Sequence, residues 1–451
     1  MKYKNLISIL FLTFLSFSSF IFAQEDEKIP PASMRTSGKA QAFGKELYVT
    51  PVKGFGYRFT GQVTFESVYD TRQFQGFLQD AVTFFPLPIT LDPRRLDVFD
   101  KDQLTFIGLS ASGKTLFVGP KIWGAHTNGR IDFSFGGLSN PTVWLTRLSN
   151  AYINFIWRRS TELRIGHYYH PMALAKVYPT TVSGNEGVGY DPNRKAPIFR
   201  IRHNTGNWKF VLAIAKQFNS ESARWAALPD LFFQLNFYKD ENMYGSGVCY
   251  RAEVPRIETD LGYKTTEQLN MFYAFVFARI IKHPFLIKAR ISYLENGPAF
   301  GTIGGYAVSS LNAATDDRTL VPLRNITFWT DMVYKDSKTL EPGLFVGLSK
   351  MLGSSSKIIK CYQDNDGTEI SLLSGITNVD YMFVFAPRLR AVFKNLILGF
   401  EVEYSRASFA RQNTGTNPQE GWQEDIDDYG RLVNTQAVGN TGFFFTASYT
   451  F

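Results

Sequence analysis

The stretch Gly442-Phe443-Phe444-Phe445-Thr446-Ala447-Ser448-Tyr449-Thr450-Phe451 decides the fold. In an extended chain successive side chains point to opposite faces. Phe443, Phe445, Ala447, Tyr449 and Phe451 therefore share one face, and Phe444, Thr446, Ser448 and Thr450 the other. One face is apolar and aromatic, and the other is mostly small and polar. That is the alternation of a β-strand whose outer side meets lipid and whose inner side meets water. A soluble edge strand would leave the same aromatic face unprotected.

The opposite end of the chain agrees. Lys2 and Lys4 precede an apolar stretch from Leu6 to Phe22, which closes at Ala23-Gln24. This reads as a secretory leader over residues 1–23, cleaved after Ala23. A transmembrane anchor is the competing reading. The apolar core is short for a bilayer span, and acidic Glu25-Asp26-Glu27 follows it in place of a basic flank. With its final aromatic strand, the chain resembles the outer-membrane β-barrel proteins of Gram-negative bacteria. In that resemblance Phe443, Phe445, Tyr449 and Phe451 form the barrel-assembly signal.

Composition fits an all-β transmembrane antiparallel barrel. Beyond the leader no run of about 20 apolar residues occurs, so no mature membrane helix is expected. Mean hydropathy is −0.13 and aromatics make up 16% of the chain, a balance suited to strands with one lipid face. The 41 Phe and 22 Tyr are too many for one soluble core of this size. Cys249 and Cys361 are far apart, and nothing in their spacing points to a disulfide framework or a metal site. The net charge of +8 loses two lysines with the leader. The remaining excess lacks basic clusters interleaved with stacking aromatics, so nucleic acid is not implied.

Strands are counted from Tyr57–Tyr69, where Tyr57, Phe59, Val63, Phe65 and Tyr69 face out and Arg58, Thr60, Gln62, Thr64 and Glu66 face in. The others fall near 103–118, 126–136, 146–158, 161–169, 196–204, 207–218, 229–239, 243–256, 267–282, 285–296, 323–336, 341–352, 378–394, 396–410 and 438–451. These are sixteen strands. Short joints such as Thr205-Gly206 and His283-Pro284 alternate with long ones such as Pro171–Lys195, Gly297–Pro322, Gly353–Thr377 and Arg411–Ala437. Short periplasmic turns and long extracellular loops produce this rhythm. Splitting two strands, at Ala111–Lys114 and at Val438-Gly439, would give 18. It would also put Pro171–Lys195 on the short-turn side, and is set aside. Residues 24–55 read as a periplasmic lead-in or short plug, and residues 56–451 as the barrel with its loops.

Two motifs are dismissed. Gly108-Leu109-Ser110-Ala111-Ser112-Gly113-Lys114-Thr115 matches a phosphate-binding loop, but that loop needs a helix next, and Leu116-Phe117-Val118-Gly119-Pro120 is extended. His167 and His170 would lie on opposite faces of a strand, so they cannot share a metal simply. No Ser is marked by a positioned His. Enzyme activity, catalytic residues, metal and cofactor are therefore not expected.

Alternation sends Arg58, Glu66, Arg130, Asp132, Glu162, Arg164, Arg200, Arg202, Lys288, Arg290, Asp331, Arg388, Arg390, Glu401 and Glu403 inward as pore-lining candidates. An Arg or Lys on the lipid face would cost about 2–4 kcal/mol at the midplane. Charge inside implies water inside, and sixteen strands enclose more than side chains can fill. Arg388 and Arg390 lie one strand from Glu401 and Glu403, so local pairing is expected. Pro171–Lys195 is the candidate constriction loop, with Tyr178, Glu186, Tyr190, Asp191, Arg194 and Lys195 narrowing the pore.

The resemblance can be narrowed. Phe65-Glu66-Ser67-Val68-Tyr69-Asp70-Thr71-Arg72-Gln73 looks like the DcaP-like trimeric porins, common in Bacteroidetes. So do Gly119-Pro120, Gly124-Ala125, Ile131-Asp132-Phe133, Ala151-Tyr152 and Ile165-Gly166-His167-Tyr168-Tyr169-His170-Pro171. The similarity is densest over residues 57–218. It implies a homotrimer passing small hydrophilic solutes across the outer membrane, in contact with lipid and lipopolysaccharide. The chain departs at His167, where the family often carries Gln, and it lacks the coiled-coil stalk of some relatives. Inward bases outnumber inward acids, a weak lean to anionic solutes. The alternative function is an accessory barrel in a larger assembly, bound to outer-membrane protein partners.

Overall fold

The computed structural model describes residues 47–49, 56–77, 82–135, 145–158, 160–184, 187–192, 194–216, 221–337, 339–360, 372–411 and 426–451. The expected leader, nearly all of the lead-in, Glu186 and Cys361 lie outside them.

Sixteen antiparallel strands close into a barrel. They are β2 (Gly56–Asp70), β5 (Gln103–Val118), β6 (His126–Phe135), β7 (Thr146–Trp157), β8 (Thr161–Tyr169), β9 (Lys195–Thr205), β10 (Trp208–Ala215) and β11 (Asp230–Lys239). Then follow β12 (Asn242–Glu253), β13 (Leu269–Lys282), β14 (Phe285–Glu295), β17 (Arg324–Tyr334), β18 (Leu340–Gly353), β20 (Val379–Phe393), β21 (Leu396–Ala410) and β22 (Thr435–Thr450). Each pairs with the next barrel strand in the chain, and β22 pairs back onto β2 from Thr450↔Gln62 to Gly442↔Asp70. Every expected strand is present, and β5 runs unbroken through the phosphate-loop look-alike.

Lipid explains the pattern. On β2, Phe59, Val63, Phe65 and Tyr69 are exposed on the outer wall, whereas Glu66 on the inner wall is buried. Closure leaves no unpaired edge in the hydrocarbon, where each unsatisfied backbone group would cost several kcal/mol. Glycines inside strands mark close packing. A Cβ at Gly245 would sit 2.5 Å from the Phe277 ring, and one at Gly247 would sit 2.4 Å from that of Phe275.

The remaining elements were not expected from the sequence. β1 (Leu47–Val49) pairs with Tyr57–Phe59 of β2, just beyond the point where Phe451 bonds Gly61. β3 (Phe74–Phe77) and β4 (Val82–Pro86) form a hairpin above β2. β15 (Gly304–Asn312), β16 (Asp317–Pro322) and β19 (Leu372–Ile376) form a sheet inside the long loops. A short helix, α1 (Glu221–Trp225), lies between β10 and β11. Ion pairs tie these loops together, among them Arg256–Glu267 at 2.6 Å and Arg256–Asp316 at 2.7 Å.

Candidate functional site

The segment His170–Arg194, between β8 and β9, folds into the barrel. Its two ends meet where the His170 N–H donates to the Arg194 carbonyl at 2.7 Å. Gly187 (φ 79°) and Gly189 (φ 85°) let the chain turn back, in a region only Gly enters freely. Met172, Leu174, Val177, Val188 and Tyr190 are buried against Phe275, Trp329, Phe345, Met382 and Val384 of the inner wall.

Polar clasps hold the loop along that wall. Asp191 Oδ1 accepts from Arg290 Nη1 at 3.0 Å and from Trp329 Nε1 at 2.9 Å. Lys288 Nζ donates to the Tyr178 carbonyl at 2.8 Å and to Thr180 Oγ1. Three wall carboxylates then take successive backbone N–H groups. Asp331 takes Thr180 at 2.9 Å, and Glu401 takes Val182 at 2.8 Å and Ser183 at 3.2 Å. Glu66 takes Gly184 at 3.1 Å. Hydrogen bonds to charged groups contribute about 1.5–3 kcal/mol each, so the segment is fixed rather than draped.

Glycines make room for it. A Cβ at Gly399 would lie 2.8 Å from both methyls of Val182, and one at Gly347 would lie 2.8 Å from the Tyr190 ring. Gly343 leaves a channel over β18 for the Arg388 guanidinium, 2.7 Å from its missing Cβ. Arg388 therefore reaches across to Asp331 on β17. This corrects the expected pairing. Arg388 sits opposite Glu401 in register, yet its ion pair is with Asp331, and Glu401 is engaged by the loop. Arg390 is 3.7 Å from Glu341, not paired to Glu403.

The loop divides the inward charges into two groups. Lys288, Arg290, Asp331, Arg388, Glu401 and Glu66 lie beneath it and are buried, and Glu403 is nearly so. Covered by the loop, they do not face open water, which corrects the reading of all inward charges as one lining. Tyr178, Tyr190, Asp191 and Arg194 are also buried at the loop–wall contact, so they anchor the loop instead of projecting into the lumen. Burial raises the Asp191 carboxyl above its ordinary range against the pull of Arg290. Burial and neighbouring Arg251 push Arg194 down to about 9.

The facing wall, β5 to β9, carries the second group. Arg130, Arg200 and Arg202 keep 15%, 14% and 20% of their side chains exposed, against 0% for Arg290 and 1% for Arg388. Glu162 is shared by Arg202 at 2.5 Å, Arg200 at 2.8 Å and Arg164 at 3.6 Å. Tyr152 and Tyr168 meet edge to face with centroids 4.9 Å apart, and the Arg164 guanidinium lies against both rings, at 4.1 and 4.3 Å. Lys195 stands 4.6 Å from the Tyr169 ring. Arg130 bonds Asp132 at 2.6 Å, and Arg58 is half-buried at the short-turn end of β2.

Sequence reasoning missed the Trp329 clasp, the tyrosine pair against Arg164 and the glycine sockets. The sockets had a signal: Gly343, Gly347 and Gly399 interrupt strands at inward positions. Cys249 is buried and free in the wall. His170, by contrast with an exposed strand residue, is wholly buried at the loop base and bonded to Asp230 at 3.1 Å.

Similarity to known proteins enters at the level of fold. No protein-family model matches the chain, and no curated protein matches it. Among solved structures, the outer membrane channel DcaP of Acinetobacter baumannii is similar with a TM-score of 0.61 at 14% identity, over 88% of this chain and 98% of that one. An anion-selective porin from Comamonas acidovorans gives 0.51 at 7% identity, over 88% and 100%. The trimer form of OmpT, an outer membrane protein of Vibrio cholerae, gives 0.50 at 9%, over 88% and 100%. None of these lends support to a Bacteroidetes origin. The architecture is that of the 16-stranded outer-membrane porins.

Proposed function

We propose that the chain is an outer-membrane porin, exported with a cleaved leader, through which small hydrophilic solutes diffuse passively. One observation carries this reading. A loop is pinned to one wall of the barrel by wall carboxylates, and the wall opposite is polar and partly exposed. That wall is predominantly basic, which supports a preference for anions. The porin-type fold also supports assembly as a homotrimer in contact with lipid and lipopolysaccharide.

The test is single-channel recording of the purified protein in planar bilayers, with reversal potentials measured across a salt gradient. Conducting events with a reversal potential on the anion side are expected. A silent protein would overturn the channel, and a cation-side potential would overturn the preference. Arg200→Glu with Arg202→Glu is expected to move the reversal potential toward cations without abolishing conductance.

A further inference from the structure

Among the described residues, one small hairpin is built three times at the long-loop end. Residues 91–97 form it between β4 and β5, 258–264 between β12 and β13, and 426–432 between β21 and β22. In each, the N–H of the second residue donates to the carbonyl of the sixth, at 2.8 Å from Asp92, 2.8 Å from Thr259 and 2.9 Å from Asp427. The N–H of the fifth residue donates back to the carbonyl of the second. That fifth residue has positive φ in all three: Arg95 (64°), Gly262 (81°) and Gly430 (72°). The second residue's side chain also closes the turn. Asp92 and Asp427 each accept two backbone N–H groups, and Thr259 accepts one. Asp and Thr suit such turns because they bond their own backbone.

The three differ in what covers them. In 426–432, Ile426 and Leu432 are buried, and Gly430 lies close to Leu323, Ile358 and Leu372. In the other two the apolar residues stand out. Leu91, Leu96 and Val98 on the first, and Ile257, Leu261 and Tyr263 on the second, are each about half exposed. These two hairpins also carry opposite charge. On the first, Asp92 is engaged by its own turn and Asp97 by Arg72 at 2.7 Å, while Arg94 and Arg95 are exposed at the tip. Arg95 occupies, in the left-handed region, the place that glycine takes in both other hairpins, and such outliers point to function. On the second, Glu258 and Asp260 are exposed. In the ion-pair cluster around it, these two with Glu267, Asp316 and Asp317 outnumber Arg256, Lys264 and Arg318. The first hairpin lies above the first and second barrel strands and the second above the ninth and tenth, half the circumference apart.

We propose that these two hairpins join neighbouring copies of this chain, residues 91–97 of one copy against residues 258–264 of the next. The apolar residues meet at the centre, and Arg94 and Arg95 meet Glu258 and Asp260 at the rim, an arrangement in which opposite charge fixes the register. Copies in one membrane share one orientation, so a sideways shift alone brings the basic hairpin of one to the acidic hairpin of another. A contact between two different patches on opposite sides of the molecule does not close into a small ring and propagates as a row. A trimer closes through faces nearer to each other around the barrel. The hairpins therefore link one assembly to the next. The inference rests on the outer-membrane reading above but not on conductance.

The test is disulfide trapping in phospholipid vesicles, in the full chain with Cys249→Ala and Cys361→Ala. One population carries Leu96→Cys and the other Leu261→Cys. They are folded separately, mixed in vesicles and oxidised with copper phenanthroline. A band of two linked chains is expected, several-fold stronger in the mixture than in either population alone, and weaker at high salt. Arg94→Glu in the first population is expected to cut the yield several-fold, and Glu258→Arg in the second to restore it. Both side chains are exposed on hairpins closed by their own backbone, so the barrel is retained. Equal yields in mixed and unmixed populations, or no restoration by the second charge change, overturn the contact. Flotation of the vesicles is read in parallel. If the protein does not float with them, the outer-membrane reading falls with the contact. If it floats without the mixed band, only the contact falls.

Discussion

Glu401 shows how a single side chain seats the inward loop. Its two oxygens accept the N–H groups of Val182 and Ser183. Glu401→Ala strands two donors in a dry contact, where each unmet group costs about 1–3 kcal/mol. The expected outcome is a loop that lifts at residues 181–184, seen as larger and noisier single-channel currents. Gly347→Leu attacks the same contact from the wall side. A side chain there would meet the Tyr190 ring at 2.8 Å, and overpacking of this kind costs about 1–3 kcal/mol. A lower midpoint temperature on gel mobility of the folded barrel is expected, together with altered conductance. Gly→Leu at the lipid-facing Gly129 offers a contrast, because it meets the Phe117 ring on the outer wall and leaves the loop alone.

At the scale of elements, the inward loop is anchored at its base by a histidine. His170 Nε2 bonds Asp230, while Nδ1 accepts the Met172 N–H at 3.2 Å, so the imidazole is neutral and has no place for a second proton. Burial holds it below its ordinary range, with Asp230 opposing. The unfolded chain therefore binds the proton that the folded chain refuses, and this contribution to stability is present above about pH 6.5 and is lost on acidification below it. Unfolding midpoints measured from pH 7 to pH 5 should fall, and His170→Asn should flatten the slope. The element scale also shows what a sequence can reveal. All sixteen barrel strands were legible, because lipid on one side and water on the other impose a strict two-residue period. The β15–β16–β19 sheet was not, because its strands pack against other loops, with Ala307, Val308 and Ile376 buried, and answer to no lipid–water alternation. Charged inward positions were legible too. That Arg290 and Asp331 lie beneath a loop whereas Arg130 and Arg202 face it was not, since only the three-dimensional path of residues 170–194 decides which wall is covered.

For the whole molecule, the last strand and the first must find each other, and β22 meets β2 along a single seam. The loop crosses that line on the inside. It is held by Glu401 on β21 at Ser183 and, one residue later, by Glu66 on β2, with β22 between them. Gly184→Pro deletes the N–H offered to Glu66 while leaving the Glu401 bonds in place. Easier heat-opening of the folded barrel on gels is expected, by more than for an equivalent change at Thr180, whose carboxylate partner lies away from the seam. The same crossing implies an order of events in biogenesis. A ring still open at β22 and β2 has not yet brought these two carboxylates to their final spacing, so the loop can engage both only after the circle is complete. It then works as a tie-rod: a lateral opening of the wall, which would release the chain into the bilayer or admit a lipid, must first pull this strut from its seats.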